Sequence, residues 1–120
     1  MDPLFVEYPK CSTCKKAKAW LDDHCIEYID RHIVEEPPTA EELSLWQRES
    51  GLAPRRFFNT SGMKYRELNL KAKLDAGMEP AEMFELLATD GMLVKRPILV
   101  TDDTVLVGFK EAEWEAALGE

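Results

Sequence analysis

At 120 residues the chain is long enough for one hydrophobic core and too short for two. Its 45% hydrophobic and 32% charged residues are the balance of a globular domain, not of a disordered or fibrous chain. The net charge of −8, from 23 acids against 15 bases, repels phosphate backbones and argues against direct nucleic-acid binding; no apolar run approaches the ~20 residues of a membrane span.

The N-terminal "MDPLFVEYPK" lacks the basic start and long apolar stretch of a signal peptide, so a cytoplasmic protein is expected. "LFVEY" (Leu4 to Tyr8) reads as a first strand. From Thr13 to Asp23, Cys14, Ala17, Trp20 and Leu21 recur near one face at helical spacing. "IEYID" (Ile26 to Asp30) reads as a second strand, which makes the first 30 residues a parallel βαβ unit.

The middle of the chain reads as helical. Thr39 and Glu42 form a capping-box pattern ahead of Leu43 and Trp46, and Gly51 is a stop. "RELNLKAKLDAG" (Arg66 to Gly77) is a weaker helix, and "PAEMFELLATDG" a strong one with Pro80 in its first turn. "PILV" and "VLVG" then flank "TDDT" as an antiparallel hairpin. "KEAEWEAAL" closes the chain as a helix with Trp114 and Leu118 inward. The order βαβ, helices, ββα fits one α/β thioredoxin-like domain over residues 1–120. Its mixed four-stranded sheet would carry a helical insertion, at about 37–92, between the second and third strands.

The chemistry concentrates in "YPKCSTCKKAKAWL", where Cys11 and Cys14 stand at a strand-to-helix junction. Free amides and the positive end of the helix dipole favour a thiolate there. Cys11, ahead of the helix, is the expected nucleophile; Cys14, inside the first turn, suits a resolving thiol, and Lys15 adds positive charge nearby. A zinc site needs about four ligands, and no second Cys-x-x-Cys or His-x-x-x-His is present. Two inert buried sulfurs are the plainer alternative. Cys25, in the following turn, reads as a small buried hydrophobe rather than a third redox partner. His24 reads as a helix C-terminal residue, and His32 has no visible partner.

Two further stretches border this chemistry. Arg96 and Pro97 open the third strand, where proline is sterically tolerated. An arginine at that position is also suited to an anion held over a helix N-terminus. "FFNTSGMKYREL" contains a turn from Asn59 to Gly62, with Arg55 and Arg56 just before it as a solvated pair or an anion-binding edge.

Together, "YPKCSTCKKAKAWL", "FFNTSGMKYRELNL", "KRPILV" and "VLVGFKEAEWEAAL" resemble the arsenate-reductase-related (ArsC/Spx) family of thioredoxin-fold proteins over nearly the whole chain. The resemblance implies a cis-proline at Pro97 packed on the Cys-x-x-Cys loop. It also implies an anion or substrate site containing Arg96, Pro97 and Asn59. Glutaredoxin-coupled members use one cysteine, matching Cys11, and three arginines. Here only Arg96 matches, because "FNTSG" and "VGF" hold no arginine. Losing two charged hydrogen bonds of about 1.5–3 kcal/mol each argues against efficient arsenate reduction. Members of the Spx branch are redox-sensing transcription regulators that contact the RNA polymerase α-subunit; their contact glycine corresponds to Gly51. "FNTSG" resembles the reductase-like branch more.

The resemblance thus implies a cytoplasmic thiol–disulfide oxidoreductase with Cys11 as nucleophile, Cys14 resolving and Arg96 orienting an anionic group. No metal or tightly bound cofactor is implied. The reductant would be glutathione, glutaredoxin or thioredoxin, and the substrate side could include a protein disulfide.

Overall fold

Residues of β1 (Leu4–Glu7) alternate between two apolar layers, which makes it a central strand. Phe5 joins Ala17, Trp20, Leu21, Leu99 and Trp114 on one face of the sheet. Val6 joins a larger cluster on the other, with Ile33, Leu43, Trp46, Phe57, Phe58 and Ile98. The computed structural model describes residues 2–119, so the two ends of the expected 1–120 unit lie outside the described residues.

The sheet runs β2-β1-β3-β4, with β2 at Ile29–His32, β3 at Ile98–Val100 and β4 at Val105–Val107. β1 is parallel to β2, with Phe5 opposite Asp30, and antiparallel to β3, with Phe5 opposite Leu99. β3 and β4 form the expected antiparallel hairpin. Helix α1 (Ser12–Asp23) buries the expected Cys14, Ala17, Trp20 and Leu21. It shares its layer with α6 (Glu111–Leu118), whose Trp114 is fully buried and donates its indole N–H to the Gly108 carbonyl at 3.1 Å. The intervening helices are α2 (Ala40–Ser50), α3 (Met63–Glu67), α4 (Leu70–Asp75) and α5 (Pro80–Ala88). This mixed sheet with a helical insertion after β2 is the thioredoxin-like α/β arrangement expected from the sequence.

Several local expectations need correction. The second strand begins at Ile29, not Ile26, because α1 ends in a left-handed cap. Cys25 adopts φ 55°, its N–H donates to the Asp22 carbonyl, and the Ile26 N–H donates to the Leu21 carbonyl. That cap turns Cys25 into solvent, so it is exposed and not a buried hydrophobe. Ile26 and Tyr28 pack on the Phe5 cluster before pairing with β1 starts. The Arg66–Gly77 helix is two helices, since Asn69 takes φ 54° between α3 and α4 and lets Tyr65, Leu70 and Leu74 all reach the core. His32 does have partners: its Nδ1 accepts from the backbone N–H groups of Val34 and Glu35, and its ring meets Tyr8 edge-on. The capping box of α2 is present, with Thr39 accepting from the Glu42 N–H and Glu42 accepting from the Thr39 N–H. Gly51 ends that helix at φ 72°.

Candidate active site

Cys11 is delivered by the turn that links β1 to α1. Its N–H donates to the Tyr8 carbonyl at 2.9 Å, and its own carbonyl accepts from Lys15 N–H at 3.0 Å. It is therefore the N-cap of a 12-residue helix, half-buried, with no side-chain capping bond. Its sulfur lies over the positive helix end.

Burial works against ionisation of Cys11 but is outweighed. The Cys14 backbone N–H, the Cys14 thiol and the Arg96 guanidinium all favour the thiolate, so its pKa lies below the ordinary thiol value. Cys14 is 0% exposed. Burial first, and then the neighbouring Cys11 sulfur, push its thiol up to about 12. The two thiols are thus shifted in opposite directions, Cys11 toward the thiolate and Cys14 away from it. Lys15 is exposed, and it is not among the leading groups acting on Cys11.

Arg96 reaches the site because its segment is tied down on both sides. Lys95 N–H donates to Phe57 carbonyl and Asn59 N–H to Leu93 carbonyl, each at 2.8 Å, and Phe58 bridges Val94. The Arg96–Pro97 bond is cis, and Pro97 is buried. The guanidinium carbon sits 5.3 Å from the centre of the Tyr8 ring. Its Nη1 makes a long 3.4 Å bond to the Met92 carbonyl, while its buried Nε has no partner.

Cys11, Asn59 and Arg96 line one cavity of about 1180 Å³. Cys14 and Pro97 lie buried and outside its lining, as does the exposed Lys15. The Asn59–Gly62 turn also lines this cavity. Gly62 N–H donates to Asn59 carbonyl at 3.1 Å, and a Cβ at position 62 would meet Asn59 Nδ2 at 2.9 Å. Sequence reading missed Tyr8, Lys95 and Lys110 as members of the site. The first two sit in "YPKC" and "KRP", beside residues already singled out; Lys110 carried no local signal.

Behind β1, Glu7 is 4% exposed and pairs with Lys18 at 3.6 Å, while Lys18 also holds Asp30 at 3.0 Å. Burial, then the Asp30 carboxyl beside it, push Glu7 up to about 7. Asp30 is partly desolvated too, yet the hydrogen bond with Glu7 and the Lys18 ammonium hold it below the usual carboxylate range. The two carboxyls flank one ammonium and are shifted in opposite directions, Glu7 toward its protonated form and Asp30 toward its ionised one. No cluster able to hold a metal ion occurs among the described residues, and no helix among them is long and apolar enough to cross a membrane.

Comparisons with known proteins agree with this geometry. The ArsC family model matches residues 6–117. The uncharacterized protein YusI of Bacillus subtilis strain 168 is 55% identical over 115 residues, covering 96% of this chain and 97% of YusI. The regulatory protein MgsR of the same organism is 34% identical over 109 residues, covering 91% and 84%. A crystal structure of an ArsC-family-related protein from Bacteroides fragilis superposes with a TM-score of 0.93 at 55% identity, covering 97% of each chain. With a family model spanning almost its full length and relatives this close, the chain belongs to the ArsC family.

Proposed function

We propose that the protein is a thiol–disulfide oxidoreductase of the reducing cytoplasm, with Cys11 as nucleophile and Cys14 as resolving thiol. The observation that carries the reading is the pairing of two unlike thiols at one helix start: a half-buried N-cap Cys11 shifted toward thiolate and a fully buried Cys14 in the first turn, shifted away from it. In that state Cys11 attacks one sulfur of a substrate disulfide and the other sulfur leaves as thiolate. Cys14 then gives up its proton and attacks the Cys11 mixed disulfide, releasing reduced substrate and leaving Cys11–Cys14 oxidised. Two electrons pass from the cysteine pair to the substrate. Two equivalents of glutathione, or one dithiol protein such as glutaredoxin or thioredoxin, restore the pair. No metal or tightly bound cofactor is needed.

Arg96 lines the cavity beside Cys11 and would hold an anionic group of the incoming thiol, with Asn59 on the same lining and the buried Pro97 packed behind it. Only one arginine, Arg96, occupies an oxyanion position of the family pattern, so arsenate turnover should be poor. Steady-state reduction of hydroxyethyl disulfide, with glutathione supplied, tests the reading. Turnover should vanish in Cys11→Ser, and with glutathione omitted Cys14→Ser should stop at a mixed disulfide on Cys11. Turnover that survives Cys11→Ser would remove the proposal.

A second reading is favoured by the regulatory relative at 34% identity: a redox regulator that contacts the RNA polymerase α-subunit. Gly51, the residue corresponding to the contact glycine, is exposed at the end of α2, and a Cβ placed there would meet no atom within 4 Å. Retention of the α-subunit by immobilised protein, lost on oxidation of the cysteine pair, would favour this reading over the enzyme.

A further inference from the structure

The chain is strongly acidic, yet the groove over Cys11 is not. Arg55, Arg56, Lys64, Lys95, Arg96 and Lys110 line it, against one acid, Glu67. Two of these cations are spent: Arg55 on Asp75 at 3.0 Å and Lys64 on Asp90. Among the described residues no carboxylate pairs with Arg56, Lys95, Arg96 or Lys110. Although the chain carries 23 acids, these four cations around Cys11 have no carboxylate partner among the described residues.

We propose that this groove docks an acidic, cysteine-bearing segment of a partner protein; the proposal rests on Cys11 being the exchanging thiolate. Charge complementarity selects the occupant, since four free cations outnumber the two carboxylates that glutathione carries. The cavity, about 1180 Å³, also exceeds the roughly 300–1,000 Å³ typical of small-molecule pockets. The lining also carries apolar side chains: Met92 and Phe109 are partly exposed along the groove, and Met63 projects into solvent at 71% exposure. Such a mixed lining suits an extended peptide whose acidic and apolar residues flank the reacting cysteine.

In the chemical step, the Cys11 thiolate forms a bond to the sulfur of the docked cysteine, and the disulfide that cysteine had made breaks. Its former partner leaves as a thiolate and takes a proton from solvent. Cys14 then displaces the docked cysteine as a free thiol, oxidising the Cys11–Cys14 pair, and a thiol or dithiol reductant returns it to the reduced state.

The test uses the Cys14→Ser, Cys25→Ser protein, whose one remaining thiol is Cys11, so that only the first attack can occur. Three peptides of equal length, with acidic, uncharged or basic residues around one cysteine, carry that cysteine as a 2-pyridyl disulfide. A glutathionyl 2-pyridyl disulfide completes the set, and release of 2-thiopyridone gives each second-order rate constant. The acidic peptide should react about tenfold faster than the uncharged one at low ionic strength, and the basic one slowest. High salt should shrink that ratio. The double substitution Arg56→Glu with Lys110→Glu should bring the ratio to unity or below.

Equal rates for the three peptides would overturn the docking proposal while leaving exchange at Cys11 intact. A glutathionyl disulfide as fast as the acidic peptide would overturn the protein occupant in favour of a small thiol. A ratio unmoved by salt, or by the double substitution, would overturn the charge argument. Absence of release from every probe would instead remove the Cys11 reading on which the proposal stands.

Discussion

Replacing Arg96 by methionine deletes the guanidinium while keeping an unbranched stem beside the Tyr8 ring. Arg96 favours the Cys11 thiolate through both a hydrogen bond and its charge. A hydrogen bond to a charged group contributes about 1.5–3 kcal/mol when sequestered, and partial exposure at this site reduces that to about 1 kcal/mol. An effect of about 1 kcal/mol lowers the thiolate-to-thiol ratio about fivefold at pH values below the midpoint. What the fold itself loses is small. The guanidinium makes one 3.4 Å bond to the Met92 carbonyl, its Nε has no partner, and its stacking on Tyr8 contributes about 0.5–1 kcal/mol. The measurement is the pH–rate profile of iodoacetamide alkylation in a Cys14→Ser, Cys25→Ser background, with urea unfolding alongside. Arg96→Met should move the midpoint to higher pH and leave stability within about 1 kcal/mol. It should also slow reaction with an anionic disulfide more than with a neutral one. An unmoved midpoint with equal losses on both disulfides would refute the electrostatic role. A stability loss of several kcal/mol would make Arg96 a structural residue instead.

Under limiting iodoacetamide near neutral pH, Cys11 should be labelled before Cys14, because Cys14 is buried and its thiol is pushed up to about 12; peptide mass spectrometry showing the reverse order would overturn the role assignment. Mild peroxide should link Cys11 to Cys14, with a potential between about −270 and −120 mV, and recovery mainly of disulfides that include the exposed Cys25 would contradict the pairing. Glu7→Gln should relieve a pH-dependent cost. Glu7 has a folded pKa of about 7 against an ordinary 4.5, so its stabilising proton is fully held below pH 4.5 and lost as pH rises through 7. The stability of Glu7→Gln relative to the parent should therefore grow between pH 5 and pH 8, by up to about 2 kcal/mol after allowance for the opposite shift of Asp30. Urea midpoints whose difference stays constant across that range would show that the Glu7 pKa is not raised.

Short-range pattern was enough for the elements that short-range forces control. The buried set Cys14, Ala17, Trp20 and Leu21 follows from helical spacing, and the capping box at Thr39 and Glu42 closes within one turn. The strand-to-helix junction at Cys11 and the β3–β4 hairpin are local in the same sense. Those features, with the family-like segments around Asn59 and Arg96, made the fold class and the placement of Cys11 at the head of α1 legible in the amino-acid sequence alone. Tertiary structure decided the rest. Cys25 is exposed because ending α1 in a left-handed cap lets Ile26 reach the Phe5 cluster, a contact that spacing alone does not show. Lys15 adjoins Cys14 in sequence yet stays in solvent, whereas Arg96 acts on Cys11 from the start of another strand. The cationic groove is assembled from Arg56, Lys95, Arg96 and Lys110, contributed by segments that are far apart in sequence. Electrostatic effects depend on distance through space and on the water excluded between charges. Both are properties of the packed chain, which is why an acidic sequence can fold around a basic site.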